Sequence, residues 1–439
     1  MNSKKIIVGI VWLFFSGASY SQELLTLEQA VAAALENNHD IKLEKYNVEV
    51  SENNVSRAIS GQMPILEYNA NVEFGYADAE TEVLNLNPGE PAGPPLELEG
   101  TSLDVSLQPQ ITIPLFNGFA GKYTYQMLQN ANDISQLQLE NITEDVVKQT
   151  VVAYIDVARQ QAKLKIDQEN IAISNDRVLR TAADAKYGNA NTVRRLQSEV
   201  DLKTDSVAYR NTILGYENAK RNLNLILGQN AGVDFLVEED ILLIQKLEYE
   251  VLNNNMLVQN TMLKLTEKNI SNNEKDIKIK KAQMKPSISA YANYTYYRTE
   301  DEANFLQSNR TIGPNAGLRL SFPIWTGGAA KIQLQNSKIS LAQSKTYFEQ
   351  VQLQLETQLS NTYAEYINYL EQLRIEEANL ETFETNYEKT REDYALGQVD
   401  ASDLRTAQLN LSSAKNRINN LKYNVKQTEI QLLQISGEI

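Results

Sequence analysis

"PLFNGFAGK" runs from Pro114 to Lys122, and "PIWTGGAAK" runs from Pro323 to Lys331. Each writes a proline, two apolar residues, a glycine-bearing bend and a lysine, and the two stand 209 residues apart. The same offset of 209 returns between Gly188 and Gly397, and between Gly228 and Gly437. Upstream, Pro64 and Pro286 lie 222 apart, so the first half holds 222 − 209 = 13 extra residues. These fall in Asn85–Gly100, a stretch rich in Pro, Gly and Glu that reads as an enlarged loop. The pattern is a tandem duplication with halves 22–228 and 246–439 around a connector, 229–245, rather than a short-period solenoid.

Working outward from the bends, the residues before each proline alternate. Near 66–76, Tyr68, Ala70, Val72, Phe74 and Tyr76 oppose Glu67, Asn69, Asn71 and Glu73. Near 103–113, Leu103, Val105, Leu107, Ile111 and Ile113 oppose Asp104, Ser106, Gln108, Gln110 and Thr112. Segments near 287–297 and 315–322 repeat the alternation in the second half. Period two over about 8–11 residues suits a strand half-buried in a soluble sheet or one crossing a bilayer; four at duplicated positions favour the membrane. Pro109 has no ladder donor and suggests a bulge or a subunit edge.

The residues after each bend change period. Leu359, Tyr366, Leu373, Leu380, Tyr387 and Tyr394 recur every seven residues, as do Leu404, Leu411, Ile418, Val425 and Leu432. Thr150, Val157, Leu164, Ile171 and Val178 do the same in the first half. Such heptads mean coiled-coil packing. A helix from Gly121 to Tyr187 would be roughly 100 Å long. The bends therefore mark where a strand becomes a long helix. Pro114 and Pro323 are expected to end the ladder, and Gly118, Gly121, Gly327 and Gly328 to permit the turn. Trp325 stands beside them, and suits either a lipid–water border or a core aromatic under a loop.

Composition narrows the function. Met1–Ser21 has Lys4 and Lys5, an apolar run Ile6–Phe15 and small residues before Gln22, which reads as a secretory signal peptide. With 56 acidic against 41 basic residues the chain is unsuited to nucleic acid. It has one histidine, His39, and no cysteine, which removes the common nucleophile–base pairs and zinc cages. No phosphate-binding or dinucleotide fingerprint occurs, so neither an enzyme nor a cofactor is expected. Four strands cannot close a barrel alone and lipid does not tolerate an open edge. Several copies are needed, and three would give twelve strands with a polar lumen.

The stretch "LTLEQAVAAALENNHDIKLEKYNVEVSENNVSRAISGQMP" resembles the N-terminal signature of TolC-like outer-membrane efflux proteins, with Thr26 and Gln29 reading as a capping box. His39 stands where that pattern usually has proline. Tyr394, Gly397, Asp403 and Leu404 match the family's tip motif, and the resemblance spans both halves. It implies a mixed α and β membrane protein: a homotrimer whose twelve-stranded outer-membrane barrel continues into a periplasmic helical tunnel, with the connector in an equatorial region. It implies an exit duct for a tripartite efflux pump, working with a periplasmic adaptor and an inner-membrane transporter of the resistance-nodulation-division or ABC type. Type I protein secretion is the alternative role, and a non-transporting periplasmic coiled-coil scaffold the alternative of another class. The resemblance also puts the resting constriction at the turns of Gly188 and Gly397. Here Val399 and Arg194 depart from the best-known lock. A charge-swapped clasp of Arg194 or Arg195 with Asp400 or Asp403 is one expectation, solvated tip charges the other.

Overall fold

The computed structural model describes residues 23–81, 95–186, 192–239, 243, 247–304 and 307–439. The signal segment, most of the enlarged loop and Gly188 lie outside the described residues. The first pass along the chain gives β1 (Glu23–Leu25), α1 (Leu27–Asn37), α2 (His39–Asn54), β2 (Ile65–Thr81), β3 (Leu96–Phe116), α3 (Ala120–Lys186) and α4 (Thr192–Ile226). After β4 (Phe235–Val237) come α5 (Tyr249–Gln259), α6 (Thr261–Ala282), β5 (Ser287–Asp301), β6 (Ser308–Ser321), α7 (Ala329–Ala395) and α8 (Ala401–Ser436). Among the described residues no helix is long and apolar enough to cross a membrane.

Four strands form one antiparallel sheet in the order β2-β3-β5-β6. Register explains its two faces, because residues directly opposite on antiparallel strands share a side. Val72 faces Val105, Leu107 faces Tyr296 and Tyr296 faces Ile312, so the apolar sets of all four strands merge into one surface. Gln110, Asn293 and Asn315 align in the same way on the polar side. The apolar surface is bare within the chain: Leu66, Phe74 and Leu318 are 76%, 79% and 73% exposed. Strands of 14 to 21 residues exceed the expected length, because alternation fades where charged residues continue the ladder beyond the apolar band.

The expectations for Pro109 and Pro114 need correcting. Pro109 lies on the inner strand β3, in unbroken register opposite Tyr68, so it marks neither edge nor bulge. The β3–β5 ladder simply lacks the pairs at Gln108 and Pro109, where the missing N–H would fall. Pro114 does not end its strand either: it pairs with Ser289, and the bulge follows at Pro114–Phe116. The extra residue turns Phe116 onto the apolar side opposite Ile288. Pro323 does lie past its strand, two residues after Ser321. Gly118, Gly327 and Gly328 are all left-handed, and so is Phe119 at φ 73°. Trp325 is 86% exposed, which removes the core reading for the protomer.

The long helices α3 and α7 have 67 residues each, or about 100 Å. α3 packs against α4 and α8, and α8 packs against α7, so the helices at the tip stand in the order α4-α3-α8-α7. Nearer the strands, α6 stands between α3 and α7. Leu359, Tyr366, Leu373, Ile418, Val425 and Leu432 form the apolar seam of α7 and α8, as the heptads require.

The equatorial corners use one device twice. Thr26 and Gln29 form the expected capping box at α1. Asn38 N-caps α2, accepting the Asp40 and Ile41 N–H groups, while its amide donates to the Ile226 carbonyl at 2.8 Å. Asn260 N-caps α6 identically and donates to the Ile435 carbonyl at 2.9 Å. Each corner receives a left-handed glycine: a Cβ on Gly228 would lie 2.5 Å from the Asn37 carbonyl oxygen, and one on Gly437 2.9 Å from the Gln259 carbonyl carbon. His39 occupies the first helical position, which proline and other residues without need of an N–H partner can fill.

Candidate functional site at the helical tip

The described turn of the tip joins α7 to α8. Gly397 is left-handed at φ 72°, its N–H donates to the Tyr394 carbonyl, and the Gln398 N–H donates to the Asp393 carbonyl. That is a Schellman ending, the reason for glycine there. Three residues on, Asp400 N-caps α8 and Asp403 completes a capping box by accepting the Asp400 N–H at 3.2 Å. Arg195 pairs with Glu199 one turn along α4, at 2.9 Å. Arg194 and Asp400 line one small cavity, but among the described residues no ion pair joins Arg194 or Arg195 to Asp400 or Asp403.

A different set of side chains holds the tip together. Between α3 and α4, Thr181 bonds Ser198 at 2.8 Å, Ser174 donates to Asp205 at 2.5 Å, and Thr212 donates to Asp167 at 2.6 Å. Asp167, Ser174 and Thr181 recur every seven residues, and so do Ser198, Asp205 and Thr212. The seam is thus a coiled coil whose buried positions are polar. Arg177 is the largest buried side chain of the seam: it is 1% exposed and reaches Asp201 at 3.1 Å. Burial pulls its guanidinium below the ordinary value, and Asp201 opposes that.

From α8, Arg405 enters this seam. Its two terminal nitrogens grip the Asp205 carboxylate at 2.7 Å each, the planar fork that guanidinium and carboxylate make best. Further along, Gln408 donates to the Asn170 carbonyl, Ser412 to the Asn170 side chain at 2.6 Å, Lys415 pairs with Glu169 at 3.1 Å, and Asn419 donates to the Arg159 carbonyl. Residues 405, 408, 412, 415 and 419 follow the alternating three–four step of a heptad seam. So α8 carries two faces: an apolar one against α7 and a polar one against α3 and α4. An apolar seam loses burial when opened, whereas a polar seam exchanges its hydrogen bonds for water at a small net cost. The apolar seam binds α7 to α8, and Arg405–Asp205 is the two-pronged tie from that pair to α4.

Sequence reasoning missed Arg405, Asp205 and Ser174 because it sought apolar heptads only. The signal was present as polar residues at period seven.

The family described as "Outer membrane efflux protein" matches residues 30–229 and 252–438. The outer membrane efflux protein BepC of Brucella suis biovar 1 (strain 1330) is 19% identical over 414 residues, covering 94% of this chain and 86% of the relative. Among solved structures, the outer-membrane channel OprN superposes with a TM-score of 0.75 at 16% identity, covering 94% of this chain and 90% of that one. The Campylobacter jejuni CmeC outer membrane channel gives 0.74 at 15% identity, over 94% and 85% of the two chains. The open-state MtrE outer membrane channel of Neisseria gonorrhoeae gives 0.68 at 14% identity, over 94% and 88%.

Proposed function

The chain belongs to the outer membrane efflux protein family, and from that premise we propose that it is the passive exit duct of a tripartite pump that exports small molecules. Proteins of this family reside in the outer membrane of Gram-negative bacteria with a large periplasmic portion. The observation that carries the reading is the bare apolar sheet surface running straight into two helices of 67 residues. From Leu66 to Tyr76 that exposed surface extends about 33 Å along β2, which a tilt of about 40° projects to about 25 Å, the height of a lipid-facing band. β2 and β6 leave the sheet with two open edges, which lipid forbids, so neighbouring copies supply the missing partners.

Three copies give a twelve-stranded barrel. Exposed heptad stripes support this assembly. Nearer the strands α2 exposes Leu43, Tyr46 and Val50, and α7 exposes Ile332, Ile339 and Leu353. These two stripes flank opposite sides of the strand-side order α2-α3-α6-α7, so head-to-tail pairing closes a ring. The matching order of elements in the two passes supports a tandem duplication behind the near-symmetric wall. An adaptor would meet the tip from the periplasm, and an inner-membrane transporter would supply the energy.

The tip is the gate in this reading. Arg405–Asp205 holds α7–α8 against α3–α4 when closed, and release of the polar seam opens the bore. Asp403, repeated around a three-fold axis, favours cations in the passage. Planar-bilayer recording tests the gate: Arg405→Ala should raise conductance, since removing one partner of a largely buried pair costs the closed state about 3 kcal/mol. Unchanged conductance would remove Arg405 from the gate. Co-purification of an adaptor and an inner-membrane pump tests the duct role. A water-soluble monomer passing no current would refute it.

A further inference from the structure

Although acidic residues outnumber basic ones by 56 to 41, they are missing from four stretches: 53–66, 105–132, 277–299 and 303–348. These stretches meet at the border of sheet and helices. Gln62 donates to the Gly121 carbonyl at 2.8 Å, and a Cβ on Gly118 would lie 2.5 Å from the Ala282 carbonyl oxygen. The end of α2's following turn, the start of α3 and the end of α6 are therefore one packed corner. Its basic side chains Arg57, Lys122, Lys281 and Lys285 are exposed, as is Lys331 at the start of α7.

Their side of the wall can be traced. The bulge places Phe116 on the apolar surface opposite Ile288. Phe116 meets Phe119 edge-on at 5.4 Å, and the Lys285 ammonium lies 5.8 Å from the Phe119 ring. Lys285 thus stands at the foot of the apolar surface, on its outward side. Ile324 and Trp325, 89% and 86% exposed, mark the same level in the second half. Helix electrostatics do not account for the charges. Lys281 suits the last turn of α6, but Lys122 and Lys331 are each the third residue of a long helix, where the positive end of the helix repels them.

We propose that this collar binds the anionic headgroups of phospholipids in the periplasm-facing leaflet of the outer membrane, and so sets the depth of the barrel. The inference rests on the barrel reading above. Lysine stems lie along apolar surface while their ammonium groups reach the headgroups, and a basic belt beside a membrane-spanning element draws anionic lipid.

The test uses the full chain with W12F, which leaves Trp325 as the single tryptophan, in nanodiscs containing brominated phosphatidylglycerol or brominated phosphatidylcholine. Trp325 should be quenched by both lipids, with apparent affinity for phosphatidylglycerol higher by about fivefold at low salt and falling as salt rises. The variant K122Q/K281Q/K285Q/K331Q should lose the preference, and arginine at the same four positions should restore it. Equal quenching by both lipids, or a preference that survives the four glutamines, overturns the collar while leaving the barrel intact. No quenching by either lipid overturns the barrel reading itself, and the collar with it.

Discussion

Asp205 accepts from Ser174 while held by Arg405, so one carboxylate ties three helices. Its geometry depends on the planar fork, which lysine lacks. Arg405→Lys should therefore open the channel to a degree between wild type and Arg405→Ala, and Arg194→Ala and Arg195→Ala should leave conductance unchanged. Glu144 provides a pH handle far from the tip. It is buried, Thr261 donates to it at 2.6 Å, and Glu140 and Lys264 stand nearby. Burial raises its pKa above the ordinary glutamate value, with the Thr261 bond opposing. The folded state then holds the proton more tightly than the unfolded one. Its contribution is fully present below the ordinary glutamate pKa and is lost as pH rises through the folded value. Glu144→Gln should flatten that part of the pH dependence, read from thermal melts in detergent between acid and neutral pH.

At the scale of elements, the two helical hairpins differ in what lies between their helices. Leu359 and Leu432 are fully buried in the α7–α8 seam, so Leu359→Ala or Leu432→Ala should each cost about 2–5 kcal/mol of stability without raising conductance. The α3–α4 seam should respond in the opposite way. Thr181 and Ser198 bond only across the seam and to their own helices, so replacing both by apolar residues leaves no orphaned partner. T181V/S198A should keep or raise the melting temperature and leave the open probability unchanged in single-channel records, since α3 and α4 stay together when α7–α8 moves. If the double variant changes the open probability, α3 and α4 also move apart on opening.

For the whole molecule, the proposed ring of copies rests on surfaces that are exposed in one chain. Charges on the exposed stripes should prevent it: Leu43→Glu with Leu353→Glu should convert trimers to monomers in mass photometry, while circular dichroism keeps the helix content. Both substituted positions are exposed in the protomer, so its own packing is untouched. A trimer that survives both glutamates would place the subunit contact elsewhere.

Periodicity alone was enough to read the long helices, the α7–α8 seam, the positions of the four strands and the two faces of the sheet. Those features follow from the 3.5- and 2-residue repeats of side-chain direction, which any stretch of sequence displays locally. Thr26 and Gln29 were legible for the same reason, being three residues apart. Register was not: that Pro109 falls on an inner strand, and that the extra residue comes at Pro114–Phe116, depend on which strands pair. The tie between α8 and α4 was not legible either. Asp403 looked free until its carboxylate turned back to cap α8, and Arg405 lies 200 residues from the Asp205 it grips. Hydrogen bonds of such reach are chosen by packing, after the helices have met, because a charged side chain takes the nearest partner that folding leaves within its few ångströms of range.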